Sequence, residues 1–216
     1  MPPVVDQVYA QAMEDERAIG VEEEKSVSDL EEVTRFRNGD ESAFEELVYR
    51  YEGELYGLAL RVVGNREEAM DAVQEAFLRI FRGLNKFRGQ STFRTWAYSI
   101  TLNVCRSKLA SSASRKGKLT ESLTGDPDGD GRPASDPKDQ SADPERAAMG
   151  TELGAVLKRA LATLSLKHRE IIVLREIEGL EYDEMASVLH CSQGTVKSRL
   201  ARARHALRMK LEGVWP

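Results

Sequence analysis

Only two cysteines, Cys105 and Cys191, occur in the 216 residues. No disulfide framework can be built from them, so a reduced, cytoplasmic protein is the simple expectation. No apolar run approaches the ~18–20 residues of a membrane span, and no membrane insertion is expected. The opening Met1-Pro2-Pro3-Val4-Val5-Asp6 has neither the basic head nor the apolar stretch of a secretory signal. No repeat of 20–50 residues is visible, and strand-like alternation is absent almost everywhere. Catalytic constellations are missing too: no glycine-rich phosphate loop follows a strand, and no nucleophile–base pattern appears. No catalytic residue and no cofactor is therefore expected. His168, His190, His205, Cys105 and Cys191 show no metal-ligand spacing.

Negative charge is also absent where it would be informative. Between Ala76 and Thr120 there is no Asp or Glu, while Arg79, Arg82, Lys86, Arg88, Arg94, Arg106, Lys108, Arg115, Lys116 and Lys118 make the block +10. Between Thr195 and Leu211 there is again no acid, and Lys197, Arg199, Arg202, Arg204, Arg208 and Lys210 make it +6. The net charge of -5 argues at first against a nucleic-acid binder, but it leaves -21 on the remainder and so conceals two strongly basic surfaces. Uninterrupted basic segments of this kind are the electrostatic footprint of phosphate contact, against the blander reading of solvated helix faces.

The acids are clustered in turn. Residues 1–25 hold seven against Arg17 and Lys25, and residues 119–145 hold eight against Arg132 and Lys138. The second stretch is rich in Gly, Pro, Ser and Asp and poor in large apolar residues. It cannot bury enough surface to offset chain entropy and reads as a flexible linker. Within it, Asp126-Pro127-Asp128-Gly129-Asp130-Gly131 looks like the opening of a calcium loop. Position twelve of such a loop is a bidentate Glu, however, and here it is Pro137.

What remains is helical. Ser28 or Asp29 caps a short helix ending near Asn38-Gly39, and Asp40 starts a second. In that helix Phe44, Leu47, Val48, Tyr51, Leu55, Leu58, Ala59 and Val62 follow a 3–4 spacing. Asn65 with Glu68 is a capping-box pattern for a third helix, with Val73, Phe77, Ile80, Phe81 and Leu84 apolar. After a loop, Ser91 or Thr92 caps a fourth. It buries Phe93, Trp96, Ala97, Ile100 and Val104 and turns its basic face outward. Asp143-Pro144-Glu145 opens a fifth helix, and a sixth runs from about Leu166 to Glu178. Then comes a short helix, Tyr182 to Leu189, a break at His190-Cys191-Ser192-Gln193-Gly194, and a basic helix, Thr195 to Leu211.

That last trio is a helix-turn-helix pattern. Met185, Ala186 and Leu189 pack inward, with Cys191 as a small buried residue in the break, and Val196 and Leu200 anchor the second helix. Gln193, Thr195, Lys197, Ser198, Arg199 and Arg202, with Arg204 at the margin, remain for solvent or DNA. The second helix of such a unit enters the major groove by its N-terminal end, where Arg and Lys read guanine and Ser and Thr reach base or phosphate. A core αα-hairpin with a basic outer face is the alternative.

Taken together, these residues resemble the extracytoplasmic-function group of bacterial sigma factors, sigma-E-like in type. The resemblance is carried by Asp71-Ala72-Val73-Gln74-Glu75-Ala76-Phe77-Leu78, by Phe87 through Trp96 continuing to Asn103, and by Leu164 through Leu211, around Arg169-Glu170, Gly179 to Ala186 and Gly194 to Leu200. It implies an all-α chain of two small helical domains joined by a flexible acidic linker. An acidic extension, 1–27, is expected to be disordered. A region 2 domain occupies 28–112, the linker 113–143, and a region 4 domain 144–212.

The resemblance further implies a non-enzymatic initiation factor that binds core RNA polymerase through its clamp helices and flap. It directs the polymerase to a promoter class and promotes DNA melting. Asp71, Gln74, Glu75 and Leu78 would dock on the polymerase. Arg88, Gln90, Ser91, Thr92, Arg94 and Asn103 would read the -10 element, and Gln193, Thr195, Lys197, Ser198, Arg199 and Arg202 the -35 element. Promoter DNA and an anti-sigma factor complete the implied partners. The reading from charge and motif alone leaves a free-standing helix-turn-helix regulator as the alternative.

Overall fold

A computed structural model describes residues 28–117 and 151–212. The expected disorder of 1–27, residues 118–143 of the linker, the calcium-loop resemblance and the helix start at Asp143 fall outside these residues, while 113–117, expected in the linker, continue the fourth helix. Eight helices are described: α1 (28–37), α2 (Ser42–Val63), α3 (Arg66–Leu84), α4 (Phe93–Gly117), α5 (Thr151–Thr163), α6 (Leu166–Ile172), α7 (Tyr182–Leu189) and α8 (Gln193–Glu212).

The caps follow side-chain chemistry. Asp40 accepts from the Ser42 amide at 3.1 Å and from the Ser42 hydroxyl at 2.5 Å, setting the start of α2. With Arg35 these bonds hold the Asp40 carboxyl below the usual carboxylate range. Asn65 accepts from the Glu68 amide at 3.0 Å, one half of the expected capping box. The Glu68 carboxylate accepts from Ser112 on α4. Of the two candidates for the α4 cap, Thr92 fills the role, accepting from the Thr95 amide at 3.1 Å. Gly64 ends α2 at φ +83, donating its N–H to the Leu60 carbonyl at 2.8 Å.

Helices α2, α3 and α4 form an N-terminal bundle whose shared core includes Leu47, Tyr51, Leu55, Leu58, Val62, Ala72, Ala76, Ile80, Phe93 and Leu102. Helix α1 is pinned beside them by Asp29. This buried carboxylate accepts from the Tyr51 hydroxyl and from Arg50. On α3 the buried stripe is narrower than the sequence pattern suggests. Ala69, Ala72 and Ala76 are buried, whereas Phe81 is 41% exposed and stacks edge-on with Phe36 and Phe44 at the rim.

Helices α5 to α8 form the second unit around Leu161, Ile171, Leu174, Met185, Val188, Val196 and Leu200. Helix α6 runs on into a π turn, Val173–Ile177, and Gly179 at φ +72 stops it. The two units pack against each other through α4 on α7 and α2 on α6. That contact corrects the expectation for α4. Tyr98, Thr101, Leu102 and Cys105 are completely buried, so the helix is covered on more than one side and does not present a simple solvent-facing basic stripe. Trp96 and Ile100 are only half-buried.

Burial, reinforced by the negative charge of Glu170, pushes the Cys105 thiol up to about 12. Cys191 is half-buried, not the enclosed residue expected. Iodoacetamide at mildly alkaline pH is therefore expected to modify Cys191 and leave Cys105 intact until the chain is denatured. Mass spectrometry of the alkylated peptides checks this, and equal labelling of both thiols would contradict the packing around α4.

Candidate nucleic-acid interface

In the C-terminal unit, α7 and α8 meet across a turn held by two local devices. His190 adopts the left-handed conformation at φ 51. Ser192 caps α8, its hydroxyl accepting from the Thr195 amide at 3.2 Å. Met185, Val188 and Leu189 on α7 pack on Val196, Leu200 and Ala203. Ala186, expected inside, is half-buried at the edge.

This packing turns one face of α8 outward. Gln193, Lys197, Ser198 and Arg202 are exposed, and Thr195 and Arg199 are half-buried. The Ser198 hydroxyl bonds the Thr195 carbonyl and Arg202 Nε bonds the Ser198 carbonyl, so both side chains lie along the helix. The Tyr182 ring is flanked by Arg175, at 5.1 Å, and by Lys197, at 5.4 Å. This aromatic platform beneath two cations was not singled out in the sequence. Arg204 is turned aside into a 2.7 Å ion pair with Glu176.

In the N-terminal bundle, the loop between α3 and α4 rests on aromatic rings. Phe87 packs on Trp96 with centroids 5.0 Å apart and on Phe93 at 6.1 Å, and Phe93 packs on Tyr51 at 5.1 Å. Phe93 is a core residue at 1% exposure. Gly83 lets Trp96 approach, since a Cβ there would lie 3.2 Å from the ring. Arg37 donates to the Phe87 carbonyl and Leu30 lies against Gly89, so α1 braces the loop from its flank. Arg88, Gln90 and Thr92 are exposed on this support, and Ser91 is half-buried.

Arg94 and Asn103 do not join that group. Arg94 turns toward the second unit, donating to Glu54 at 3.1 Å and to the Glu178 carbonyl at 2.9 Å. Asn103 is exposed, and its side-chain oxygen accepts from Arg106 at 2.9 Å. On the outer face of α3, Asp71 faces Lys108 at 3.6 Å and Glu75 pairs with Arg79 at 2.9 Å. Beside them Gln74 is exposed and Leu78 is 52% exposed.

Two sequence signatures match this architecture: the sigma-70 region 2 family over residues 33–115 and the sigma-70 region 4 family over residues 155–207. The chain belongs to the sigma factors of bacterial RNA polymerase, in the extracytoplasmic-function group; it is not an enzyme, and it directs promoter recognition. It is 36% identical over 192 residues to the RNA polymerase sigma-H factor of Pseudomonas aeruginosa, covering 85% of this chain and 94% of that protein. It is 33% identical over 180 residues to the ECF RNA polymerase sigma-E factor of Escherichia coli K12, covering 83% and 92%. Among solved structures, CnrH in complex with the cytosolic domain of CnrY superimposes with a TM-score of 0.60 at 25% identity, over 86% of this chain and 98% of that one. Membership in the family sets aside the free-standing regulator. Sigma factors bind core RNA polymerase and DNA. No helix among the described residues is long and apolar enough to cross a membrane.

Proposed function

We propose that the two units divide promoter recognition, with 28–112 acting on the -10 element and 144–212 on the -35 element. The observation that carries this reading is the loop of exposed Arg88, Gln90 and Thr92 and half-buried Ser91, held on an aromatic base. Capture of a melted strand requires cationic and hydrogen-bonding groups at fixed positions. Arg94 and Asn103 contribute from α4 once DNA is present. In the second unit, Gln193, Thr195, Lys197, Ser198, Arg199 and Arg202 meet the -35 duplex through the major groove.

Asp71, Gln74, Glu75 and Leu78 dock on the clamp helices of the polymerase, and the second unit touches its flap. The protein works in the cytoplasm, where the polymerase is. An anti-sigma protein holds it when it is not needed, a reading supported by the anti-sigma factor complexes of structural neighbours.

The test is transcription of fragmented genomic DNA by purified core polymerase with and without the protein. New start sites sharing a pair of upstream elements support the reading, and an unchanged set of transcripts refutes it. Within that assay, Arg202→Ala should weaken or relax -35 recognition by ~1–3 kcal/mol. Promoter affinities measured across single-base variants check this, and an unaltered sequence preference would remove Arg202 from the base-reading set.

A further inference from the structure

The loop that presents Arg88, Gln90 and Ser91 has few bonds of its own. It runs from the end of α3 at Leu84 to Thr92, the cap of α4. Its first turn is held by the Lys86 amide, which donates to the Gly83 carbonyl at 2.8 Å, and by the Phe87 amide, which donates to Leu84 at 3.2 Å. Among the described residues, no hydrogen bond to the backbone of 88–91 is found. The Phe87 ring is fixed against Phe93 and Trp96, but a fixed ring leaves the peptide that follows it free to turn. Two residues on, Gly89 sits at φ +66, where the absence of a Cβ permits the reversal without limiting it.

Helix α1 supplies what the loop lacks. Arg37, its closing residue, donates from Nη2 to the Phe87 carbonyl, 50 residues away in the chain. That carbonyl shares a planar peptide with the Arg88 N–H, so gripping one end orients both. A methyl of Leu30 lies where it would stand 3.6 Å from a Cβ on Gly89, although the Leu30 side chain is otherwise 46% exposed. The helix that carries these two side chains is itself anchored near each end. Buried Asp29 takes bonds from Tyr51 and Arg50. Arg35 pairs with Asp40 at 2.7 Å and Glu46 at 3.2 Å on the side of α2, and Phe36 rests on Phe81 with centroids 5.3 Å apart.

We propose that Arg37 is a positioning residue for base reading at the -10 element. Through the Phe87–Arg88 peptide, with Leu30 on Gly89, it holds Arg88 and Gln90 in the direction from which a base of the melted strand is told from the others. Without that grip the loop spreads over several orientations, and apparent affinity falls by the fraction that remains competent. The loss is specific to sequence, because a turned Gln90 gives up the correct base, whereas phosphate contacts are indifferent to base identity. The proposal rests on the assignment of the loop to the -10 element made above.

The test uses the full chain assembled with core polymerase, on a promoter found by the transcription assay and on its single-base variants across the -10 element. Arg37→Ala should lower open-complex formation on the parent promoter about tenfold, the share of one charge-assisted hydrogen bond. It should shrink the preference over the variants by a similar factor and leave the salt slope unchanged. Leu30→Ala, which removes no charge, should shrink the preference in the same direction. Arg37→Lys keeps a charged donor and should recover most of it. The grip is read separately in the free chain, labelled with carbonyl-13C Phe and 15N Arg. Four Phe–Arg peptides then give signals, at 36–37, 81–82, 87–88 and 93–94, and Arg88→Lys identifies the third by its loss. In Arg37→Ala the 87–88 signal should move and the 93–94 signal should stay.

An unmoved 87–88 signal shows that Arg37 does not hold the peptide in solution. An equal loss on every promoter variant, with a salt slope lower by about one, makes Arg37 a phosphate contact. A lower melting temperature with the base preference intact makes it a support of α1 alone. Each of these results overturns the proposal. Failure of the underlying assignment looks different. Arg88→Ala and Gln90→Ala would then leave the -10 preference unchanged while the 87–88 signal still moved in Arg37→Ala, and the proposal would fall with that assignment.

Discussion

Replacing Arg169 by alanine is expected to cost about 3–5 kcal/mol, enough to unfold region 4. Arg169 is buried, and its guanidinium donates to four backbone carbonyls. They belong to Leu161 at 2.9 Å, Ala162 at 2.8 Å, Leu164 at 3.3 Å and Val62, in region 2, at 2.6 Å. The first three lie at the end of α5 and in the turn to α6, where helix geometry leaves carbonyls without intrahelical partners. Burial draws the Arg169 pKa below the usual guanidinium range, with Glu170 opposing, and the group stays charged.

Truncation strands several buried acceptors at about 1–3 kcal/mol each where water cannot reach. Lysine restores a charge but not a planar fork, so Arg169→Lys should recover only part of the loss. Urea denaturation followed by circular dichroism checks both variants. A loss below ~1 kcal/mol for Arg169→Ala would mean that water replaces the arginine without penalty.

Phe93→Ala should cost a similar ~3–5 kcal/mol in region 2. Its ring is enclosed by Tyr51, Phe87 and Trp96, and the loop bearing Arg88, Gln90 and Thr92 stands on that cluster. With the ring removed, the cluster loses its centre. Promoter melting should then fall together with stability. Phe93→Leu keeps most of the volume and should stay within ~1.5 kcal/mol of the parent, melting included. Thermal unfolding and permanganate footprinting of the promoter separate the roles. If Phe93→Leu preserved stability and abolished melting, the ring would be a base-stacking group and its placement in the core would not explain its use.

Much of this was legible from residue order. Helix identities, caps at Asp40, Asn65 and Thr92, and the turn at His190–Ser192 follow from local rules. An N-terminal side chain bonds the nearest free amides, and a 3–4 spacing fixes which face must leave water. The two acid-free blocks likewise pointed to DNA without any knowledge of packing. The outward placement of Asp71, Gln74 and Leu78 was readable because their opposite face is a plain apolar stripe.

The contact between the two units was not readable. Tyr98, Thr101 and Cys105 lie on the side of α4 that the basic residues made look solvent-facing, yet they are completely buried, and Tyr98 there donates to Glu178 of the second unit. Arg94, Arg106 and Arg169 count equally as cations in the sequence. The fold gives one a carbonyl in the opposing unit and a carboxylate in its own, one a buried glutamate 64 residues on, and one four backbone carbonyls. Local preference depends on neighbours within a turn or two, which the sequence specifies directly. The partner of a long charged side chain depends on which distant surface is brought within about 3 Å, and only tertiary packing decides that.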